Sequence, residues 1–171
     1  MKLKPYNYKN VLRTIICEEI EKHHQLREIF NSPPFKTDFH FSNSEYEIKC
    51  DPFEDNQGNK IQVIFHKMRR ECYEVDFTVN GSSMGNPGIN YSIIEYTPLI
   101  LTVFKCVEQF IKEYSPQALN IDGEDSFFKQ EQGKEGQKNA IYKYALKKTE
   151  IPYNYTLLTN DNGGTQIIKK Q

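Results

Sequence analysis

The pattern of apolar and polar residues along the chain predicts helices that alternate with strands. Between residues 8 and 30, apolar residues recur at spacings of three and four, which predicts an amphipathic helix. This N-terminal helix ends before Pro33 and Pro34, because proline cannot continue a helix and disfavours helical backbone in the residue that precedes it. Residues 36–171 are predicted to form the core of one domain that spans residues 1–171.

Three strands are predicted after the first helix. The alternating segments 39–41 and 46–50 are interpreted as one interrupted strand, and a turn cluster that contains Gly58 separates it from the next strand. The segments 60–68 and 72–80 are joined by the short link "RRE", which predicts a hairpin with one buried and one solvated face. The residues predicted on the buried face are Ile61, Val63, Phe65, Tyr73, Val75, Phe77 and Val79.

A strongly apolar helix is predicted next, with Thr97 as its N-cap and Pro98 at its first helical position. Apolar residues as far as Tyr114 cover more than half of its circumference, so we expect it to be central and buried on more than one side. A short strand at 118–122, a helix at 137–148 and a C-terminal hairpin around "NDNGG" follow. The sequence predicts an α+β fold with a mixed, mostly antiparallel sheet around a central buried helix.

The segment "VNGSSMGNPGIN", residues 79–90, raises the question of a phosphate site, because a glycine-rich loop between strand and helix can point backbone N–H groups at phosphates. Gly85 and Gly88 are the candidate cofactor residues. Residues 89–96 separate Gly88 from the predicted helix start, and Pro98 there lacks an N–H. We therefore predict that the glycines form turns, with 89–96 as a possible extra strand, and that no cofactor is bound.

Charge and composition restrict the functional classes. The 171 residues carry 22 basic and 23 acidic side chains, which argues against general nucleic-acid binding but not against a local basic patch. The N-terminus lacks an apolar signal segment, and no apolar run reaches the roughly 18 residues of a membrane helix. These features predict a cytoplasmic protein with reduced cysteines.

Two groups of side chains were considered as local sites. Arg69 and Arg70, in the predicted hairpin turn, could contact a partner or nucleic acid, or they could serve solubility and protect a strand edge. The polar loop 123–136 could also engage a partner protein. No metal site is predicted, because the histidines lack the local spacing of metal ligands. The histidines are His23, His24, His40 and His66.

The predicted order is helix, three strands, helix, strand, helix and C-terminal hairpin, and it resembles the topology of the GNAT acyltransferases. The segment "GQKNAIYKYALKK" is similar to the fourth-helix pattern of that family, in which an Asn precedes a small residue and a Tyr, as Asn139, Ala140 and Tyr142 do here. This resemblance implies acetyl-CoA as the cofactor and Tyr142 as the general acid.

A second resemblance covers Tyr73–Lys148, which looks like a loose group of uncharacterised tailed-bacteriophage proteins. It rests on a strand ending in Asn-Gly, a helix with Val-Phe, a Ser-Pro turn, a short strand and a closing helix with tyrosines. This resemblance carries no assigned activity and transfers no site. It implies a viral protein, in the host cytoplasm or the virion.

The leading hypothesis is a non-enzymatic phage accessory protein that binds a host or viral protein, or itself. It would act as a virion or assembly component or as a modulator of host functions. The first alternative is a GNAT-type acyltransferase with an atypical cofactor loop. The second alternative is a local nucleic-acid or nucleotide binder.

Overall fold

One mixed β-sheet and one long helix organise the part of the chain that the computed structural model describes, which comprises residues 33–83, 91–121, 144–159 and 165–170. The helix, α1, runs Ile93–Tyr114, and residues 144–148 are also helical. The strands are β1 Phe41–Asn43, β2 Glu47–Cys50, β3 Phe53–Glu54, β4 Lys60–Lys67, β5 Cys72–Val79, β6 Ser82–Ser83, β7 Ala118–Ile121, β8 Tyr155–Thr159 and β9 Thr165–Lys169. The predicted helix at 8–30 and most of the one at 137–148 lie outside the described residues.

The sheet has the strand order β1-β2-β4-β5-β7-β9-β8, with β3 added to β4 and β6 added to β5. Every pair is antiparallel except β5 and β7, which run parallel. α1 connects β5 to β7 and carries the chain back to the end of the sheet at which β5 begins. β7 therefore runs parallel to β5. The protein is therefore an α+β protein with a mostly antiparallel mixed sheet.

The predicted single strand over residues 39–50 is wrong, because the structure forms two strands there. β1 pairs antiparallel with β2, with Phe41 opposite Cys50. The turn between them closes through Ser44, whose N–H donates to the carbonyl of Glu47 at 2.9 Å and whose hydroxyl donates to the same oxygen at 2.8 Å. The interruption that the sequence pattern shows is thus a tight turn. β3 also forms inside the segment that was predicted as a turn cluster.

The predicted hairpin of the two longest strands is confirmed. β4 and β5 pair in register from Ile61 opposite Val79 to Lys67 opposite Tyr73. Seven apolar residues were predicted on the buried face, and six of them are buried while Tyr73 is partly buried. The prediction that the opposite face is solvated is wrong in part, because Ile64 and Thr78 on that face are buried as well. In the connecting turn, Arg70 and Glu71 have φ of 58° and 57°, a left-handed conformation that side-chain-bearing residues adopt at some cost.

The predicted start of the long helix is wrong. Ser92 is the N-cap, and its hydroxyl accepts the N–H of Glu95 while the Glu95 carboxylate accepts the N–H of Ser92. This reciprocal capping box begins the helix upstream of Pro98, which lies inside α1. Residues 93–96 are consequently helical, so the possible extra strand over 89–96 does not form there.

The core is built around α1, as the apolar pattern predicts. The rings of Phe65 in β4 and Phe110 in α1 stack with centroids 3.7 Å apart and planes 5° apart. On another side of the helix, the N–H of Phe35 donates to the hydroxyl of Thr102 at 2.8 Å. Ala145 is fully buried in the same core cluster. The helix therefore lies between the sheet and the flanking segments.

Glu108 of α1 is buried but paired. Lys105 and Lys112 donate to its two carboxylate oxygens at 2.8 and 2.7 Å, and the N–H of Glu150 donates at 3.2 Å. Burial raises the pKa of Glu108, but these hydrogen bonds outweigh burial and bring the pKa below its ordinary value. The carboxylate therefore remains charged and fastens residue 150 to the helix.

Substituting Phe110→Ala tests the packing of α1 on the sheet. We expect a loss of about 3–5 kcal/mol in the free energy of unfolding, because the substitution leaves a cavity beside Phe65. The matched control is Gln109→Ala, an exposed neighbour on the same helix, for which we expect a change within about 0.5 kcal/mol. Urea unfolding followed by circular dichroism measures both variants, and equal losses would contradict the central position of Phe110.

Candidate functional site

Three of the predicted site residues, Gly85, Gly88 and Tyr142, lie outside the described residues. Arg69 and Arg70 are exposed in the turn between β4 and β5, next to the exposed side chain of Met68. Exposed Glu71 follows them, which reduces the net charge of the turn to one positive unit. The turn is a small mixed-charge surface and not an extended basic stripe.

The N-terminus of α1 already holds a negatively charged group. The Glu95 carboxylate accepts hydrogen bonds from the N–H of Ser92 at 2.8 Å, from its hydroxyl at 2.7 Å, and from the side-chain amide of Gln57 at 2.7 Å. The bonds from Ser92, with a smaller contribution from Gln57, lower the pKa of Glu95. A phosphate at this helix end would have to compete with an ionised carboxylate for the positive end of the helix dipole.

Two sequence features that opposed a phosphate site do not hold in the structure. Pro98 does not lie at the helix start, and the helix does not begin as far from Gly88 as Thr97, because Ser92 is the N-cap. Only residues 89–91 separate Gly88 from the cap. The occupied helix end now opposes phosphate binding. The sequence signal for this capping box is the pattern Ser-x-x-Glu at residues 92–95.

Asp55 is a buried carboxylate that the sequence analysis missed. It accepts the N–H groups of Gln57 and Asn59 at 2.8 Å each, the Asn59 side-chain amide at 2.9 Å and the Tyr91 hydroxyl at 2.5 Å. The amide of Asn80 in turn donates to Asn59 at 2.9 Å. The turn before β4 is thereby tied to Asn80, near the start of the glycine-rich segment, and to Tyr91, directly after it.

The role of Asp55 is structural, because donors of the chain itself occupy its carboxylate. Burial raises the pKa of Asp55, while the bonds from Tyr91, Asn59 and Gln57 lower it, and the result lies below the ordinary 3.8. Burial and the Asp55 carboxylate together raise the pKa of the Tyr91 hydroxyl. Within the described ranges, no group of three or more His, Cys, Asp or Glu side chains could hold a metal ion.

The strand β8 offers an open backbone edge. It pairs with β9 on one side, and in the described part of the chain no strand pairs with its other side. The N–H of Lys170 donates to the carbonyl of Asn154 at 2.7 Å, so Asn154 and Lys170 are a hydrogen-bonded pair. This pair shows which residues of β8 bond to β9 and which point outward. Bonding alternates along an antiparallel pair, so Thr156 and Leu158 bond to β9 while the N–H and C=O groups of Leu157 point outward.

The side chains along this edge are uncharged and include two exposed leucines. Leu157 and Leu158 project to opposite faces of the strand and are 38% and 50% exposed, and Tyr153 just before the strand is 92% exposed. Residues 151–160 contain no charged side chain. Natural sheets usually protect an edge with charge, proline, a bulge or a very short strand. At the other edge, β1 is short at three residues, but β8 has no such protection within the strand.

The predicted C-terminal hairpin is confirmed, since β8 and β9 pair antiparallel with Leu157 opposite Ile167. Its position in the sheet was not predicted. β9 lies against β7 and leaves β8 outermost, and local sequence patterns do not carry that information. The open edge of β8 is consequently a feature that the sequence patterns did not predict.

No helix among the described residues is long and apolar enough to cross a membrane. Comparison of the chain with protein-family models, curated proteins and solved structures finds no match. Within the described residues, β8 combines outward backbone groups with two exposed leucines.

Substituting Tyr91→Phe tests the Asp55 network. We expect a loss of about 1.5–3 kcal/mol near neutral pH, because the variant removes a hydrogen bond to a buried charge. Asp55 has a lowered pKa in the folded protein, so its contribution is present above pH 3.8 and is lost as the pH falls through the folded value. The gap between wild type and variant should therefore shrink below pH 3.8.

The matched control for this prediction is Tyr153→Phe, which removes a hydroxyl from a side chain that is 92% exposed. We expect it to leave the unfolding free energy unchanged. Urea titrations across a pH series measure both variants. A Tyr91→Phe effect that is independent of pH would show that the hydroxyl does not act through the Asp55 carboxylate.

Proposed function

We propose that the protein acts by binding another protein through strand addition at the open edge of β8. In this mode an extended segment joins the sheet as one more strand, and main-chain hydrogen bonds supply much of the affinity. The observation that carries the proposal is a five-residue edge strand without charge, with outward backbone groups and exposed leucines on both faces. Such an edge is a template for another strand unless it is protected.

The geometry assigns different tasks to successive residues of β8. The outward N–H and C=O of Leu157 would bond to the added strand, while Thr156 and Leu158 keep their bonds to β9. The side chains of Leu157 and Leu158 would each lose exposed area to the partner, on opposite faces. Full burial of a leucine contributes about 1.5–3 kcal/mol, so these partly exposed side chains add a smaller amount each.

The viral role expected from the sequence is part of the proposal. The resemblance to tailed-bacteriophage proteins supports an accessory function without catalysis, in which the bound protein is of host or viral origin. The protein would work in the host cytoplasm or in the virion, as an assembly component or as a modulator of host functions. A strand-capturing edge suits either setting, because it recognises main chain as well as side chains.

Substituting Leu157→Pro tests strand addition directly. The Leu157 N–H points away from β9, so proline removes an outward donor without breaking a ladder bond, a position at which sheets tolerate proline. The probe is a set of heptapeptides selected from a display library on the wild-type protein. We expect Leu157→Pro to weaken their binding at least about tenfold, which corresponds to 1.4 kcal/mol.

The matched control is Leu157→Thr, which shortens the same side chain but retains the N–H and a good strand former. We expect it to bind the selected peptides with a smaller loss than the proline variant. Fluorescence anisotropy measures the dissociation constants, and circular dichroism checks that both variants fold. Peptides that bind the proline variant as tightly as wild type would show that β8 is not the binding edge.

Acetyl-CoA binding is a second candidate. β7 runs parallel to β5 after α1, which is the kind of pairing that the GNAT resemblance implies. β7 pairs with β5 only along Cys72–Val75. Further along the same side, β6 pairs with β5 at Thr78 and Val79. Asp76 therefore lies where the neighbouring strand of β5 changes from β7 to β6. Against this candidate stands Glu95, whose carboxylate occupies the helix end that would face the phosphates.

Calorimetric titration with acetyl-CoA separates the two candidates. Strand addition as the sole function predicts no binding heat, whereas micromolar binding would favour the acyltransferase. The matched variant is Glu95→Gln, which removes the charge at the helix end but keeps a side chain that can bond to Ser92. If wild type binds acetyl-CoA and turns it over, Tyr142→Phe tests the general acid, and unchanged turnover across pH would exclude that role for Tyr142.

A further inference from the structure

We infer that the strand that pairs with β8 is β8 of a second copy of this chain. The two copies would be related by a two-fold axis that passes between their Leu157 residues. The inference rests on the proposed function, since it names the partner of the same edge. The two copies would form one continuous sheet. Three properties of the edge support a second copy as the occupant: its hydrogen-bond phase, its lack of charge and the placement of its two exposed leucines.

The hydrogen-bond phase allows β8 to pair with itself. In an antiparallel pair, residues that exchange hydrogen bonds lie directly opposite each other. An axis through Leu157 places Leu157 opposite Leu157 of the second copy, and Tyr155 opposite Thr159. Leu157 and Thr159 present their N–H and C=O groups to the open side, since the alternate residues bond to β9. Tyr155 presents only its C=O, because its N–H donates to the carbonyl of Pro152 at 2.9 Å. This register places all five residues of the strand opposite a residue of the second copy, while axes at neighbouring residues leave part of β8 unpaired.

The absence of charge matters more for a second copy than for any other partner. A two-fold axis brings residues near it close to their own copies, so a charged side chain there would meet a like charge at short distance. Residues 151–160 contain no charged side chain, and the strand consists of Tyr, Thr and Leu. The edge therefore carries no electrostatic penalty against pairing with itself.

The exposed leucines are placed where a second copy would cover them. Leu157 lies on the same face as Tyr155, whose side chain is buried and whose hydroxyl donates to the carbonyl of Pro116 at 2.9 Å. Contact between the two Leu157 side chains would thus continue the core across the axis. On the opposite face, Leu158 would lie against Thr156 of the second copy, a cross-strand neighbour at contact distance.

The assembly would close at two copies and would be weak. An isologous contact uses the same edge on both copies, so it leaves no second β8 edge for further growth. The other edge strand, β1, has three residues with exposed Ser42 and Asn43 and is a poor template. A pair of five-residue strands buries less than the roughly 800 Å² per partner of a standard interface, so we expect dissociation in the micromolar range or weaker.

Sedimentation velocity over a range of protein concentrations tests the dimer. We expect wild type to shift from monomer to dimer as the concentration rises, Leu157→Pro to remain monomeric, and Leu157→Thr to retain a weakened dimer. A dimer that persists unchanged in the proline variant would overturn the inference, because the contact would then lie elsewhere.

A cysteine trap tests the register and does not depend on the proline variant. Leu157→Cys should form an intermolecular disulfide with oxidised glutathione as the electron acceptor, because opposite residues of a hydrogen-bonded pair lie about 5.5 Å apart between Cα atoms, within disulfide range. The matched control Leu158→Cys should not cross-link, since Thr156 lies opposite it. Wild type treated in the same way measures how much cross-linking the native cysteines contribute. A Leu158→Cys control that cross-links as readily as Leu157→Cys would overturn the register.

The results separate this inference from the proposed function. Wild type that stays monomeric at all concentrations, yet captures the selected peptides through Leu157, would refute self-pairing and leave strand addition intact. Wild type that neither dimerises nor captures peptides would refute both. Dimerisation that competes with the selected peptides for the same edge would support both.

Discussion

Burial of α1 against the sheet is the interaction on which the rest of the structure depends. Phe110 stacks on Phe65 in that contact, and the N–H of Phe35 donates to Thr102 on another side of the helix. Because α1 carries the chain back to the end of the sheet at which β5 begins, β7 pairs parallel with β5. β9 then adds to β7, and β8 becomes the outermost strand. The open edge therefore lies on the side of the sheet that α1 extends by adding β7 to β5.

Three paired carboxylates serve this architecture, of which Asp55 and Glu108 are buried and Glu95 is partly exposed. Glu108 fastens residue 150 to α1, Asp55 ties the turn before β4 to Asn80 and Tyr91, and Glu95 caps the helix. Each carboxylate is held in its charged form by donors of the chain itself. Capping of α1 by Glu95 also places a negative charge where a phosphate would bind, so the same interaction that begins the helix opposes a nucleotide or coenzyme there.

Sequence patterns predicted the elements whose periodicity is long and uninterrupted, and they failed where a few local contacts decide. The body of α1 and the β4–β5 hairpin were recognised because their apolar spacing extends over many residues. The predicted helix start was wrong because two start signals compete in this segment, Thr97-Pro98 and the capping box at Ser92, and the capping box begins the helix. The turn at Ser44 is too short to separate two alternating segments by pattern alone. Strand order is a long-range property, so the open edge of β8 was not predictable from its own residues.

Amide hydrogen exchange along β8, followed by NMR at low and high protein concentration, tests the central claim most directly. In dilute solution the account predicts protected amides at Thr156 and Leu158, which bond to β9, and a rapidly exchanging amide at Leu157. At high concentration, or with a captured peptide, the Leu157 amide should become protected. A Leu157 amide that is protected at every dilution, or that remains unprotected when partner is present, would contradict strand addition at this edge.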